Sequence, residues 1–373
     1  MIAKLFCNGV RFRQLRRGGK PYRLQSLSLE VTHRCICRCD MCNIWKIPAE
    51  VADLELADWL AVLRSPALRH LRELDITGGE PFLRADLGEL LQRIVAFKPE
   101  HFPALRTLSI TTNALLSERI LAIVRECIGP LRACGVDLVL ACGVDAAGKL
   151  HDRIRNVPGA WERVQPTLSG LQEIRAEHAN LILGIKTTII PRNVHELPGI
   201  ANFAAKHDLF TIISPCILTA NRFANLDKAN ELHFDPIHVR KMIEFYESSP
   251  FAWSGHCEAL LGYLKTGTMR KPCSAGYNTL FVRHNGEVFG CPVLANSVGD
   301  VRTQPLDRLF RGEAANQFRK QVGAFPECAQ CTEPGMERIA WPLDGFALLG
   351  FWAERGRGDF DRLVRHMGLD KYL

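Results

Sequence analysis

The chain of 373 residues is 47% apolar and 23% charged, the make-up of an ordinary folded protein with room for a large core. No apolar run is long enough to span a bilayer and no signal peptide with a cleavage site is visible, so neither a membrane-spanning nor a secreted chain is expected. Fourteen cysteines are too unevenly spread for a disulfide framework, and seven of them fall in two groups with metal-ligand spacing, which points to a reducing, cytoplasmic setting.

The net charge of +7 is uneven. Residues 1–24 carry Lys4, Arg11, Arg13, Arg16, Arg17, Lys20 and Arg23 with no acidic residue. Such a basic arm could touch nucleic acid, an anionic membrane or an acidic peptide. No specific nucleic-acid partner is expected, and peripheral membrane contact stays open.

Apolar, β-rich runs then recur with amphipathic stretches between them, the pattern of a parallel α/β domain. Candidate strands lie at 27–32, 73–77, 106–111, 137–144, 181–189 and 209–214. Helical patterns fill the gaps. The run 54–64 carries Leu56, Trp59, Leu60 and Leu63 on one face, Ser117 is placed to cap a helix over 118–127, and 161–176 and 195–207 complete the series. Six strand–helix repeats within 25–225 predict an open, partial (β/α)6 barrel, with its chemistry outside the C-terminal ends of the strands. The basic arm is then expected to extend across the barrel mouth.

Past residue 215 the pattern changes. Residues 227–265 look helical, and a hairpin follows with strands at 279–284 and 287–290 around the turn signal Asn285-Gly286. A helical piece at 306–322 leads to Cys328 and Cys331, so 226–338 is expected to be a small α+β unit. The tail 339–373 is apolar-rich, and is expected to pack on the domain or to help wall a substrate site.

Two motifs carry the chemistry. Cys35, Cys39 and Cys42 lie in one compact loop after the first strand, and three thiolates can hold three irons of a [4Fe–4S] cube. A cluster that only shuttles electrons normally has four cysteine ligands, so the fourth iron here is open to a substrate or cofactor. Zinc or free thiols are the alternative reading of the same residues. Gly78-Gly79-Glu80-Pro81 follows the second strand. Its glycines permit close backbone approach, and Glu80 can accept from an ammonium group.

The cysteine spacing, with Glu30-Val31-Thr32 before it and Met41 ahead of the last cysteine, resembles the radical S-adenosylmethionine (SAM) superfamily. The resemblance implies that the open iron binds the amino and carboxylate groups of SAM. An electron from the reduced cluster, delivered by a flavodoxin- or ferredoxin-type donor, then yields methionine and a 5′-deoxyadenosyl radical. Gly78, Gly79, Glu80 and Pro81 match the family's motif for the methionine amino group. Asn113 ends the third strand near the cofactor. Asp145 and Arg155 match the stretch that contacts ribose and carboxylate, although Gly143 stands where the family commonly has serine. The run 184–188 and Asn193 resemble the stretch beside the adenine. Cys37 does not fit the spacing and is read as a bystander.

Cys273, Gly286, Cys291, Cys328 and Cys331 are similar in spacing to the auxiliary-cluster domain of the SPASM/twitch subgroup. Four thiolates complete an auxiliary [4Fe–4S] cluster, or alternatively a zinc site. No further cysteine follows Cys331, so the short, twitch-like form is the better match. The resemblance implies hydrogen abstraction from an unactivated C–H bond, with the second cluster taking the electron of a net oxidation. No domain-sized extension precedes residue 27, which favours a small molecule (sugar, lipid or tetrapyrrole) as substrate. Oxidation or cross-linking of a ribosomal peptide is the alternative. A non-catalytic electron carrier or metal-binding scaffold is a third reading, and it has no use for the 78–81 motif. The motifs name no catalytic acid, base or hydrogen donor.

Overall fold

The computed structural model describes residues 1–248 and 254–372. Six parallel strands, β1 (Ser26–Glu30), β2 (Glu73–Thr77), β3 (Thr107–Thr112), β4 (Asp137–Gly143), β5 (Leu181–Ile189) and β6 (Phe210–Pro215), fall on the runs expected from the sequence. Three short strands follow, β7 (Thr279–Val282), β8 (Glu287–Phe289) and β9 (Ser297–Asp300). All nine form one sheet in the order β6-β5-β4-β3-β2-β1-β7-β8-β9.

The register shows why these sequences make a barrel with a usable interior. Leu27, Leu74, Leu108 and Leu138 pair across β1–β4, as do Leu29, Ile76, Ile110 and Leu140, and all of them are fully or almost fully buried. These rows face the covering helices, which include Leu87–His101, Ser117–Ala133, Ala160–Glu177 and Leu197–Lys206. The alternate row, Ser28, Asp75, Ser109 and Val139, turns inward and lines a cavity. A sheet with one greasy and one partly polar face thus wraps around its polar face. The rim between β6 and β9 stays open.

Several expectations need correction. Ser117 does not cap its helix. Leu116 occupies the cap position, while the Ser117 hydroxyl meets Thr167 Oγ1 at 2.6 Å, and the helix runs on to Ala133. The helical run expected over 227–265 is two helices, Pro236–Ser248 and Gly255–Thr266, and its residues 249–253 lie outside the described residues. The hairpin does not form a separate unit. β7 pairs in parallel with β1 (Ser26 with Thr279 through Leu29 with Val282), so the cysteine-bearing part extends the barrel's own sheet. Its turn closes through Arg283 N to Glu287 O at 2.9 Å, with Gly286 at φ 94°, a left-handed position that glycine adopts without strain.

The basic arm is neither extended nor at the mouth. Residues Ile2–Gly18 form a helix that buries Leu5, Gly9 and Phe12 against the C-terminal helices Met336–Leu343 and Gly345–Met367. Its cations remain solvated because they occupy the opposite faces. It sits behind the sheet's N-terminal edge, where Tyr22 N donates to Tyr277 O at 2.8 Å and Asn8 Nδ2 to Pro342 O at 2.9 Å. Contact between the two terminal helices is close enough that a Cβ on Gly345 would overlap the Leu5 carbonyl. Gly345→Ala is therefore expected to cost about 1–3 kcal/mol of overpacking and to loosen the N-terminal helix. Limited trypsinolysis should show faster cleavage among Arg11–Arg17. Unchanged cleavage rates would mean that the helix is not held there.

Candidate functional site

The cysteine loop leaves β1 at Glu30 and is fastened on every side by backbone. Gly79 N donates to Thr32 O and Glu80 N to Arg34 O, both at 2.8 Å. A Cβ on Gly78 would strike the Thr32 carbonyl and one on Gly79 the Arg34 carbonyl, so both positions require glycine. On the far side, Arg38 N donates to Arg155 O at 3.0 Å and Asp40 N to Ile154 O at 2.9 Å. The segment after β6 wraps the outside. Asn225 Nδ2 reaches Met41 O at 2.8 Å, Lys228 Nζ reaches Asp40 O at 2.6 Å, and Asn43 N donates to Phe223 O at 2.8 Å.

This seating brings Cys35, Cys39 and Cys42 to one pocket of about 150 Å³, with Met41, Gly78, Gly79, Thr112, Asn113, Gly143 and Arg155 around it. Hydrogen-bond donors approach all three sulfurs: Cys37 N to Cys35 Sγ at 3.4 Å, Ile44 N to Cys42 Sγ at 3.5 Å, and Arg155 Nη1 to Cys39 Sγ at 3.8 Å. The hydrogen bond from the Cys37 thiol, helped by Arg155, holds Cys39 at about 7, and Cys35 is lowered for the first of these reasons. Burial pushes Cys42 up to about 12. Soft thiolate donors, N–H groups aimed at sulfur and a largely dry shell fit an iron–sulfur cube. Cys37 is 1% exposed, and burial with its hydrogen bonds to both neighbours keeps its thiol protonated.

The motif carboxylate is held by the protein's own donors. Glu80 is fully buried, with Oε1 accepting from Phe82 N and Thr112 Oγ1 (3.1 and 2.8 Å) and Oε2 from Asn113 N at 2.7 Å. Burial lifts its pKa to about 7 despite these donors. Glu80 ties the 78–81 turn to the end of β3, and Asn113 is thereby aimed into the pocket beside Cys35. Pro81 starts the short 3₁₀ turn that follows.

Asp145 is likewise fully buried and does not line the pocket. It pairs with Arg155 (Oδ2 to Nε, 2.8 Å) and accepts from Thr188 N at 3.0 Å. Burial opposes charge on both partners, yet Asp145 and the neighbouring thiolates keep Arg155 firmly protonated. Arg155 crosses directly over Gly143, where a Cβ would overlap the guanidinium. That contact explains the glycine in place of serine. Asn193, also fully buried, donates to Asp145 O (2.9 Å) and Thr188 O (3.1 Å).

The four auxiliary cysteines lie in one neighbourhood. Cys273, Cys291, Cys328 and Cys331 lie near enough to perturb one another's charge, and burial raises Cys273 to about 11. Val293 N donates to Cys291 Sγ at 3.4 Å, and Lys271 beside Cys331 and Cys273 supplies a neutralising cation. This set can hold a four-thiolate cluster.

Sequence reading missed the device that joins the two halves. Asp53 accepts from Thr32 Oγ1 (2.5 Å) and from His33 Nδ1 (2.8 Å) on the cysteine loop, and lies 3.1 Å from His284 Nδ1 on the β7–β8 turn. Glu30 and Arg283 pair alongside it at 3.0 Å. No spacing rule reports Asp53, because its partners come from two distant segments. Asp53→Asn should weaken retention of the first cluster by about 10–100-fold, as loss of a supporting hydrogen bond does at other metal sites. Iron counting after gel filtration tests this in the Cys328→Ala/Cys331→Ala background, where only the first site can load. Equal retention would show that Asp53 does not support the loop.

Comparison with known proteins agrees with this geometry. The radical SAM superfamily model matches residues 29–203, and the SPASM iron–sulfur cluster-binding domain model matches 273–332. An AdoMet-dependent heme synthase of Methanosarcina barkeri is 27% identical over 265 residues (66% of this chain, 70% of the relative). A PqqA peptide cyclase of Methylocella silvestris is 25% identical over 350 residues (87% and 84%). Among solved structures, Streptococcus suis SuiB bound to S-adenosylmethionine superposes with a TM-score of 0.57 at 14% identity, covering 86% of this chain and 75% of that one. The enzyme anSMEcpe with bound AdoMet gives 0.56 at 14% identity, covering 94% and 98%. Loop, glycine turn, barrel and second cysteine set therefore have one explanation: the chain belongs to the radical SAM superfamily, with a SPASM-type iron–sulfur domain built onto the same sheet.

Proposed function

We propose that this enzyme oxidises or cross-links a ribosomally made peptide held in the barrel lumen. The observation that carries the reading is a cavity of about 570 Å³ that meets the cofactor pocket at Thr111, Lys186 and Arg222 and continues along the inner strand faces. Its walls mix apolar groups (Ile212, Phe245, Phe281) with polar ones (Ser28, Ser109, His256), and its size suits several side chains of an extended peptide. The small-molecule preference expected from the sequence gives way here, since relatives named as PqqA peptide cyclases align over most of both chains. A tetrapyrrole acid is the second reading. It is favoured by relatives named as heme synthases and by two lumen cations, Lys186 and Arg222, with no carboxylate at ion-pair distance among the described residues.

The chain's own residues divide the work. Cys35, Cys39 and Cys42 would hold the cluster whose electron, when it is bound, cleaves SAM to methionine and the 5′-deoxyadenosyl radical. Carbonyls of the 78–81 turn would take the methionine ammonium, and Arg155, locked by Asp145, would take the methionine carboxylate. Cys273, Cys291, Cys328 and Cys331 would hold the cluster that accepts the substrate's electron. The buried floor formed by Met41, Ile44 and Val31 excludes water from the loop.

Anaerobic reconstitution with dithionite and SAM should give 5′-deoxyadenosine and about eight irons per chain, with about four left in the Cys328→Ala/Cys331→Ala variant. No 5′-deoxyadenosine with both sites loaded would overturn the enzymatic reading. Arg155→Met should lose about 1.5–3 kcal/mol of SAM binding, or roughly 10–100-fold in affinity. Unchanged affinity in an iron-replete protein would remove Arg155 from the cofactor site.

A further inference from the structure

Most charged groups around the lumen are neutralised from within. Asp75 accepts from Ser28 Oγ at 2.5 Å and Ser109 Oγ at 2.9 Å. Glu73 is held by Arg338 and by Tyr372 Oη at 2.7 Å, and Asp137 by Lys371 at 2.9 Å. His256 and Lys271 share Glu337, at 3.0 and 3.3 Å. At the seam with the cofactor pocket, Lys186 and Arg222 are not held in this way.

Lys186 projects from β5 into the seam where the cofactor pocket opens into the lumen, and its ammonium has neither a hydrogen bond nor an ion pair among the described residues. Arg222 lines the same seam. Its guanidinium gives one hydrogen bond to Thr77 Oγ1 at 3.3 Å and stands 5.3 Å over the rings of Phe223 and Phe281, with no carboxylate at ion-pair distance among the described residues. Burial lowers the Lys186 pKa, and Arg222 adds to this, while Glu333 and Asp75 oppose it. Glu333 and Asp75 face the pair across the lumen without reaching ion-pair distance of either cation, so the two like charges are only partly offset, and a carboxylate bound directly between them reduces the remaining cost.

Arg155 serves a different place. It touches Cys39 Sγ, whereas Lys186 pairs across the sheet with Gly143, one strand further along. Arg155 is thus the cation placed nearest the cysteine loop, and Lys186 and Arg222 stand where that pocket opens into the lumen. We infer that Lys186 and Arg222 form an anion site for a carboxylate on the substrate, positioning that carboxylate's neighbouring C–H bonds at the edge of the cofactor pocket. The inference rests on the radical SAM reading above and adds the chemical class of the substrate: an Asp or Glu side chain of a peptide, or a free organic acid. An acid group is the shared chemistry.

The test needs no known substrate. Anaerobic, SAM-loaded holoenzyme is pulsed with acetic anhydride, and acetylation of Lys186 relative to the exposed Lys46 is read by mass spectrometry. The probes are glutarate against glutaramide, and acetyl-Gly-Glu-Gly-amide against its glutamine counterpart. The acids should slow Lys186 labelling along a saturable curve, about tenfold at ten times the half-saturating concentration, while the amides do nothing. Arg222→Gln should raise the half-saturating concentration by about tenfold. Stronger protection by the tripeptide assigns the source to a peptide side chain, and stronger protection by glutarate assigns it to a free acid. Equal protection by the amides, protection by neither acid, or a Lys186 that is unlabelled without any acid would overturn the inference. So would an Arg222→Gln enzyme whose SAM affinity falls by the same factor, because the pair would then serve the cofactor. Any of these results with 5′-deoxyadenosine still formed leaves the radical SAM reading standing.

Discussion

Two backbone hydrogen bonds, Gly79 N to Thr32 O and Glu80 N to Arg34 O, hold the reactive half of this molecule in place. They seat the cysteine loop directly on the turn after β2, with no side chain between the two backbones. Only glycine at 78 and 79 allows the approach. Three thiolates cannot converge on one cube from a loop free to swing, so the loop needs anchors that do not depend on rotamers. Backbone bonds to 154–155 and side-chain bonds from 225 and 228 complete that anchoring. Motif residues that look like ligands then become supports. Glu80 and Asp145 are fully buried acids near the pocket, and both hold other groups at its surface.

The same economy joins the two cysteine sets. A separate second unit would leave β1 as a sheet edge and place the auxiliary cysteines on a hinge. Here β7 covers that edge, and the turn after it returns His284 and Arg283 to Asp53 and Glu30 at the base of the cysteine loop. Any shift of the hairpin relative to the barrel would break the strand pairing and this buried cluster together. The two clusters' positions are consequently coupled through short, stiff contacts.

Much of this was legible in the sequence, for physical reasons that differ by element. The six parallel strands were readable because buried β-branched and leucine-rich runs alternate with amphipathic segments, and the three-cysteine loop because its spacing is local. The supports were not readable. Asp53, Asn225 and Lys228 act across segments that meet only in the folded chain. The N-terminal arm misled because charge dominates its composition, while three small or apolar positions, Leu5, Gly9 and Phe12, decide its docking. Ser117 misled because a hydroxyl near a helix start has competing partners, and Thr167 won. The β1–β7 pairing was hidden for a further reason. A short run such as Thr279–Val282 reads the same whether it closes its own hairpin or extends a distant sheet.

A division of labour follows from what kind of atom does each job. Radical generation here depends on backbone geometry and on buried acids that cannot change without disturbing the cysteine loop. The lumen instead is furnished by side chains on strand faces: Ser28, Asp75 and Ser109 in one register row, and Lys186 and Arg222 at its upper end. Substituting one of those exchanges a surface without moving a strand, because the outward rows of leucine and isoleucine carry the packing. The fold can thus keep one chemistry while presenting different substrates to it. In this chain Glu73, Asp137 and Glu337 are paired while Lys186 and Arg222 have no carboxylate at ion-pair distance among the described residues, so an incoming carboxylate finds its attraction at the seam beside the cofactor pocket.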